Sequence, residues 1–277
     1  MKIAILGAGG KMGCRLTDNL LKSQQKHELM LIEVSDVGRT RINERGLKTT
    51  DECEALARAE VLILALPDRI LGKVAHQAIP KLNAGTIVIT LDPAAAHAGE
   101  LPEREDISYF VTHPCHPNIF DHHETVDERD DFFGGVHARQ AIVCALMQGP
   151  EEHYAVGEAL ACEFYGPVTR SHRITMEQMA ILEPTMAETC GIALIKALRE
   201  VMEEAVRRGV PREAAADFMY GHIKVELGIA FGLAPFPFSD GAKLISEFGQ
   251  QRIFQPNWLE LFEPESVRKQ TKMIVAG

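Results

Sequence analysis

No apolar run in this chain approaches the ~18 residues that a membrane span needs. Its six cysteines (Cys14, Cys53, Cys115, Cys144, Cys162, Cys190) form no CxxC pair. They read as reduced, mostly buried thiols of a cytoplasmic protein. Basic charge is in deficit. The 29 lysines and arginines stand against 39 aspartates and glutamates, a net charge of −10. Nucleic acid and anionic membranes both reward a basic surface, so neither is expected as a partner. There is no internal repeat and no low-complexity segment. Strand signal begins at Lys2, which leaves no room for a signal peptide ahead of folded structure.

What is present is ample for a sizeable core: 46% of the residues are hydrophobic. At roughly 150 residues per domain, 277 residues suggest two domains. Through residue 115, apolar runs of strand length alternate with helical patterns, the signature of right-handed βαβ units in a parallel, doubly wound sheet. From Thr175 the texture becomes almost entirely helical, with Ile192, Ile195, Leu198, Val201 and Met202 spaced for one buried face. A boundary after a last short strand at 167–169 gives a domain of residues 1–170 and a helical domain of 171–277. A helical domain this apolar is expected to bury part of itself against a second subunit, so a homodimer is expected.

The first residues hold the clearest local signal. The run Lys2-Ile3-Ala4-Ile5-Leu6 ends in Gly7-Ala8-Gly9-Gly10-Lys11-Met12-Gly13, and a helical pattern follows at once. Glycines admit an anion close to the backbone, and a helix N-terminus favours its charge. The spacing is a GxxGxxG variant through Gly7, Gly10 and Gly13, and it points to a dinucleotide site. Glu33 ends the next apolar run about 20 residues beyond Gly13, where an acid that bonds the adenosine ribose is expected. A carboxylate there repels a 2′-phosphate and favours NAD. Arg39 and Arg41 follow and are the alternative, as partners of such a phosphate. Asp68, after Pro67, closes the strand signal at 59–68, and ligands sit just outside strand ends of this kind.

Two further stretches carry chemistry. His113-Pro114-Cys115-His116-Pro117 follows the strand signal at 108–112, and its prolines stiffen the backbone that presents two histidines. Histidines three apart suit a proton shuttle or a metal site; a rigid turn with backbone-bonded histidines is the plainer alternative. In the long helical run, Pro184 removes a backbone hydrogen bond and should kink or restart the helix. Glu183 and Glu188 flank it in apolar surroundings, where a carboxylate is costly unless paired or metal-bound. Lys196, and His222 with Glu226 at helical spacing, have no assigned role.

The glycine turn with Lys11-Met12-Gly13, the Ala65-Leu66-Pro67-Asp68 strand end and the helical second half resemble the 3-hydroxyacid and 6-phosphogluconate dehydrogenase superfamily, and more loosely ketol-acid reductoisomerase. With HPCHP at 113–117, Glu183-Pro184 and Gly221-His222, the whole chain resembles the D-apionate oxidoisomerase-like group, which has a C-terminal domain of the phosphogluconate-dehydrogenase type. The resemblance implies a Rossmann-type doubly wound sheet followed by an all-helical domain. It also implies oxidation of a branched sugar acid by NAD, joined to a metal-assisted ketol rearrangement. On that reading Gly7, Gly9, Gly10, Lys11, Met12, Gly13, Glu33 and Asp68 hold the cofactor. His116 and Glu183 hold a divalent metal, zinc ahead of magnesium or manganese. His113 is the general base or a substrate contact. The hydroxyacid dehydrogenases place an asparagine shortly after a lysine on the long helix; here Ala197-Leu198-Arg199-Glu200 follows Lys196, and that role is not carried over. A plain NAD-linked dehydrogenase and a non-catalytic NAD-sensing protein remain as alternatives.

Overall fold

The computed structural model describes residues 1–277. Two compact units divide the chain: Met1–Pro184 with Val267–Gly277, and Thr185–Ser266.

In the first unit the order is β1 (Lys2–Leu6), α1 (Lys11–Lys22), β2 (Glu28–Ile32), α2 (Asp36–Glu44), α3 (Glu52–Arg58), β3 (Val61–Leu64), α4 (Asp68–Ala78), β4 (Ile87–Thr90), α5 (Ala94–His97), β5 (Ser108–Pro114), α6 (Val126–Asp130), β6 (Gln140–Gln148), α7 (Glu152–Phe164), β7 (Val168–Arg173) and α8 (Met176–Ala180). One seven-stranded sheet has the order β2-β1-β3-β4-β5-β6-β7. Strands β1 to β5 are parallel, as expected from the alternating pattern. Their Ile, Val and Leu runs are buried on both faces, the usual state of a strand with helices on each side.

The sheet departs from an all-parallel one at β6, which pairs antiparallel to β5. A parallel return needs a crossover of a dozen or more residues, usually a helix. Between β5 and β6 the chain offers only the five-residue α6, so β6 begins at the edge where β5 ended. Strand β7 then pairs parallel to β6. It runs to Arg173, beyond the 167–169 expected. Its residues Thr169, Arg170, Ser171, His172 and Arg173 lack the apolar run of a central strand, as befits an edge.

Two apolar layers flank the sheet. On one face Leu62, Val88, Val111 and Val143 pack with Leu56, Leu71 and Met179 of α3, α4 and α8. On the other, Ile5, Ile63, Ile89 and Phe110 meet Leu16 and Leu20 of α1 and Leu160 of α7. Phe110 is fully buried; its truncation to alanine should cost about 3–5 kcal/mol.

The change of texture near 175 is where strands stop, but the first unit continues past it. Helix α8 buries Met179 and Ala180, and the last helix buries Val267 and Thr271. The unit boundary therefore falls after Pro184, and the last residues return to the first unit. Pro184 lies inside a π-helical stretch, Ile181–Ile192, which takes up its missing N–H.

The second unit holds α9 (Ala193–Arg207), α10 (Arg212–Ala230) and α11 (Asp240–Ile253), and α12 (Pro264–Ala276) completes the chain. Gly209-Val210-Pro211 separates α9 from α10. Large apolar side chains of this unit are exposed, including Ile195, Phe218, Phe231, Leu244, Ile245 and Phe248. No helix is long and apolar enough to cross a membrane.

Candidate functional site

The parallel strands bring their C-terminal ends to one edge of the sheet. A cavity of about 420 Å³ opens there, bounded by the glycine turn after β1, Ala65 to Asp68 after β3, Leu91 and Asp92 after β4, and His113 and Pro114 at the end of β5.

The turn is built for close approach. Gly7 has φ +84°, a backbone region that side chains disfavour. Its carbonyl accepts from Gly10 N–H at 3.0 Å. A Cβ on Gly13 would collide with that same carbonyl, and one on Gly9 would collide with the Gly38 backbone of α2. Only backbone fits, so the N-terminus of α1 opens on the cavity with no side chain in the way. That cradle suits the pyrophosphate of a dinucleotide. Lys11 at the mouth lies with its ammonium 3.5 Å from the ring centre of Phe133. Met12 lines the wall. Tyr165 Oη and Gln140 Oε1, both on buried residues of the wall, have no protein hydrogen-bond partner. Buried polar groups of this kind are completed by a ligand or water.

Glu33 lies just beyond β2, facing the turn. It accepts from Gly9 N–H at 3.0 Å, and from Val34 N–H, Ser35 N–H and the Ser35 hydroxyl at 2.8 to 2.9 Å. Partial burial works to raise its pKa, but the bonds from Ser35, Gly9 and Val34 outweigh it and hold the carboxyl below its ordinary value. Its charge is thus fixed beside the turn. Arg39 and Arg41, the alternative partners of a phosphate, donate to the carbonyls of Glu33 and Gly9. Asp68 opens α4, and burial raises its carboxyl.

At the far side of the cavity, Asp92, His113 and Glu183 offer ligand atoms that all lie within 4.8 Å of one another. His113 Nδ1 is 2.9 Å from the Leu91 carbonyl. A carbonyl only accepts, so Nδ1 carries the proton and Nε2 keeps its lone pair. Burial pushes the His113 pKa down to about 4, the Leu91 bond opposing and His116 adding. The ring is therefore neutral at pH 7. Two carboxylates and a neutral imidazole within this radius are a donor set that fits a divalent cation.

The resemblance pairs Glu183 with His116; the structure groups it with His113 and Asp92 instead. The physical reason lies in the backbone. His116 turns into the left-handed region, φ +61°. Its Nδ1–H donates to the Phe133 carbonyl at 3.0 Å, and its ring centre stands 6.0 Å from that of His113. His116 is thus the neighbour of the cluster. Asp92 carries no signal of its own in the sequence, although it follows β4 in Leu91-Asp92-Pro93 just as Asp68 follows β3. Glu188 is exposed in the π-helical stretch. In the second unit, Lys196 and Glu226 are exposed, and His222 stacks on Phe218 and donates to its carbonyl.

Comparison with known proteins places the chain in a family. Residues 121–275 match the family model of the phosphogluconate dehydrogenase (decarboxylating) C-terminal domain, and residues 2–93 that of the coenzyme F420-dependent NADP oxidoreductases. The chain is 47% identical over 274 residues to a D-apionate oxidoisomerase of Cupriavidus necator, covering 99% of each. It is 47% identical over 266 residues to a D-apionate oxidoisomerase of Rhizobium rhizogenes, covering 96% of each. Among solved structures it is similar to a semialdehyde dehydrogenase NAD-binding protein from Cupriavidus necator, in complex with calcium and NAD. There the TM-score is 0.95, at 47% identity over 98% of each chain.

Proposed function

Because the chain belongs to the D-apionate oxidoisomerase family, we propose that it oxidises a branched sugar acid, D-apionate, with NAD and rearranges the product to 3-oxo-isoapionate. The observation that carries this reading is the cluster of Asp92, His113 and Glu183 on the same sheet edge as the glycine cradle. A ketol shift needs a Lewis acid that holds ketone and alkoxide together, and this donor set beside the cofactor cradle could supply it.

When bound, NAD supplies the hydride acceptor for C2 and a divalent cation supplies the Lewis acid for the ketol shift. The residues do the rest. Gly7 to Gly13 seat the pyrophosphate, and Glu33 excludes a 2′-phosphate, which argues for NAD although one matching family model describes NADP enzymes. His116 Nε2 accepts the proton of the 2-hydroxyl as C2 becomes a ketone. In the second step the bond from C3 to one hydroxymethyl carbon breaks as the bond from C2 to that carbon forms. The proton of the C3 hydroxyl ends on the C2 oxygen, and a 3-ketone remains. His113, Asp92 and Glu183 hold the cation. Two carboxylates to one imidazole make this an oxygen-rich set, which favours manganese or magnesium over the zinc expected from a lone His–Glu pair.

The exposed apolar faces of the second unit support a homodimer, and six unbridged cysteines suit a cytoplasmic enzyme. The test is direct: D-apionate is incubated with NAD, with and without added metal, and NADH and the carbon-13 spectrum of the product are followed. NADH with a migrated hydroxymethyl carbon supports the oxidoisomerase. NADH with an unaltered skeleton reduces the protein to a dehydrogenase.

A further inference from the structure

A second cavity, of about 480 Å³, adjoins the first and shares His116 and Gln140 with it. Its wall includes Cys115, Thr169, Arg170 and His172. The sheet register fixes where these point. Tyr109, Val111 and His113 alternate along β5, and Tyr109 and Val111 belong to the apolar layer shared with Met179 of α8. His113 therefore presents itself to that layer's face. His113 pairs with Val143, and Val143 with His172, so the three lie in one row across the sheet. Cys115 N–H donates to Ala141 O, and Ala141 pairs with Arg170, which makes the next row on the same face, nearer the ligand edge.

Arg170 thus stands on the face that carries His113, two strands away, a lateral distance of about 10 Å from two strand spacings. An extended arginine spans more than half of that, and a small hydroxyacid the remainder. The Arg170 side chain is exposed and makes no hydrogen bond or ion pair within the chain, and Asp121, also in the wall, is not paired with it. A cavity lined by a guanidinium with no protein partner and by His116, the proposed proton acceptor, matches a 2-hydroxycarboxylate. The planar fork takes a carboxylate through two parallel bonds.

We propose that Arg170 is the substrate-carboxylate site, with His172 beside it in the wall. This rests on the reading of the protein as a sugar-acid enzyme and adds which residue recognises the acid. It requires that a neutral analogue be rejected for want of charge, with cofactor and metal binding untouched.

The experiment compares wild type with Arg170→Gln and Arg170→Lys in the metal-loaded holoenzyme. With D-apionate, the glutamine variant should raise KM on the order of 10- to 100-fold and change kcat far less. The lysine variant should fall between, and guanidinium added to the glutamine variant should restore part of the loss. Affinity for NAD, measured by calorimetry, should be unchanged. A parallel binding arm uses glycerate and its amide, which need no turnover: wild type should prefer the acid by about tenfold or more, and Arg170→Gln should erase the preference. Unchanged KM and an unchanged acid-to-amide ratio overturn the proposal, as does an equal loss of NAD affinity, which would mark a structural role. If wild type leaves D-apionate untouched, the proposed reaction falls, while the glycerate arm still decides the role of Arg170.

Discussion

Asp92 and His113 end neighbouring strands, and the aspartate Oδ2 lies 3.6 Å from the imidazole Nδ1, whose proton goes to the Leu91 carbonyl next door. One strand end thus contributes both a carboxylate and the carbonyl that fixes the tautomer of its neighbour. Replacing Asp92 by Asn keeps the shape and removes the charge. Metal affinity should fall at least 10- to 100-fold, with turnover partly recovered at high metal and NAD affinity intact. A metal titration of activity checks it.

His116→Ala should behave differently. If His116 is the proton acceptor and lies outside the donor cluster, as proposed, its loss should lower turnover about 10²- to 10⁴-fold and leave metal affinity where it was. Equilibrium dialysis of the variant against manganese separates the two roles; a large drop in metal binding would return His116 to the ligand set.

Gly13→Ala reverses a familiar sign. At an unstrained helical site, alanine for glycine stabilises by about 0.4–1 kcal/mol. Here the new methyl would collide with the Gly7 carbonyl, and overpacking of that kind costs about 1–3 kcal/mol. The variant should melt earlier than wild type and bind NAD more weakly, as thermal scans with and without NAD will report.

Glu33→Gln should relax cofactor choice, raising the efficiency with NADP relative to NAD on the order of tenfold. It should also alter the response to acid. The folded pKa of Glu33 lies below its unfolded value. Its contribution to stability is therefore complete above the unfolded value and is lost as pH falls through the folded one. The stability gap between wild type and variant should be widest at neutral pH and should close on acidification through that window, as denaturant melts at a series of pH values will measure.

Leu244, Ile245 and Phe248 lie on one side of α11, a helix with no buried residue. If a second copy covers that side, Leu244→Glu with Phe248→Glu should convert dimer to monomer. Two apolar side chains at about 1.5–3 kcal/mol each predict a rise in the dimer Kd of at least 100-fold, read by light scattering across a dilution series.

The legible parts of this molecule are those in which local chemistry dictates conformation. Gly7 and Gly13 announce a turn because nothing larger fits, and the Val61–Leu64 run announces a doubly buried strand because only such burial suits it. The reversal of β6 was not legible, since it follows from what residues 115–139 fail to provide, a crossover helix. The proposed metal donors were half legible. Glu183 stood out as an acid among apolar neighbours and His113 as part of a stiffened pair. Asp92 did not, because an aspartate before proline is an ordinary turn residue until the sheet order brings β4 beside β5. The choice between His113 and His116 turned on a single φ angle, which side-chain spacing does not encode.

The reversed strand has an evolutionary side. In a parallel sheet, each loop at the ligand edge is bound to a helix that must carry the chain back across the whole layer, so its length is constrained from behind. The excursion from Cys115 to Arg139 leaves the ligand edge and returns to the same edge. Residues can be gained or lost there without restringing the fold. A lineage with this topology can remodel the ground next to its histidines, and so explore new acids, while the cradle for the dinucleotide stays as it is.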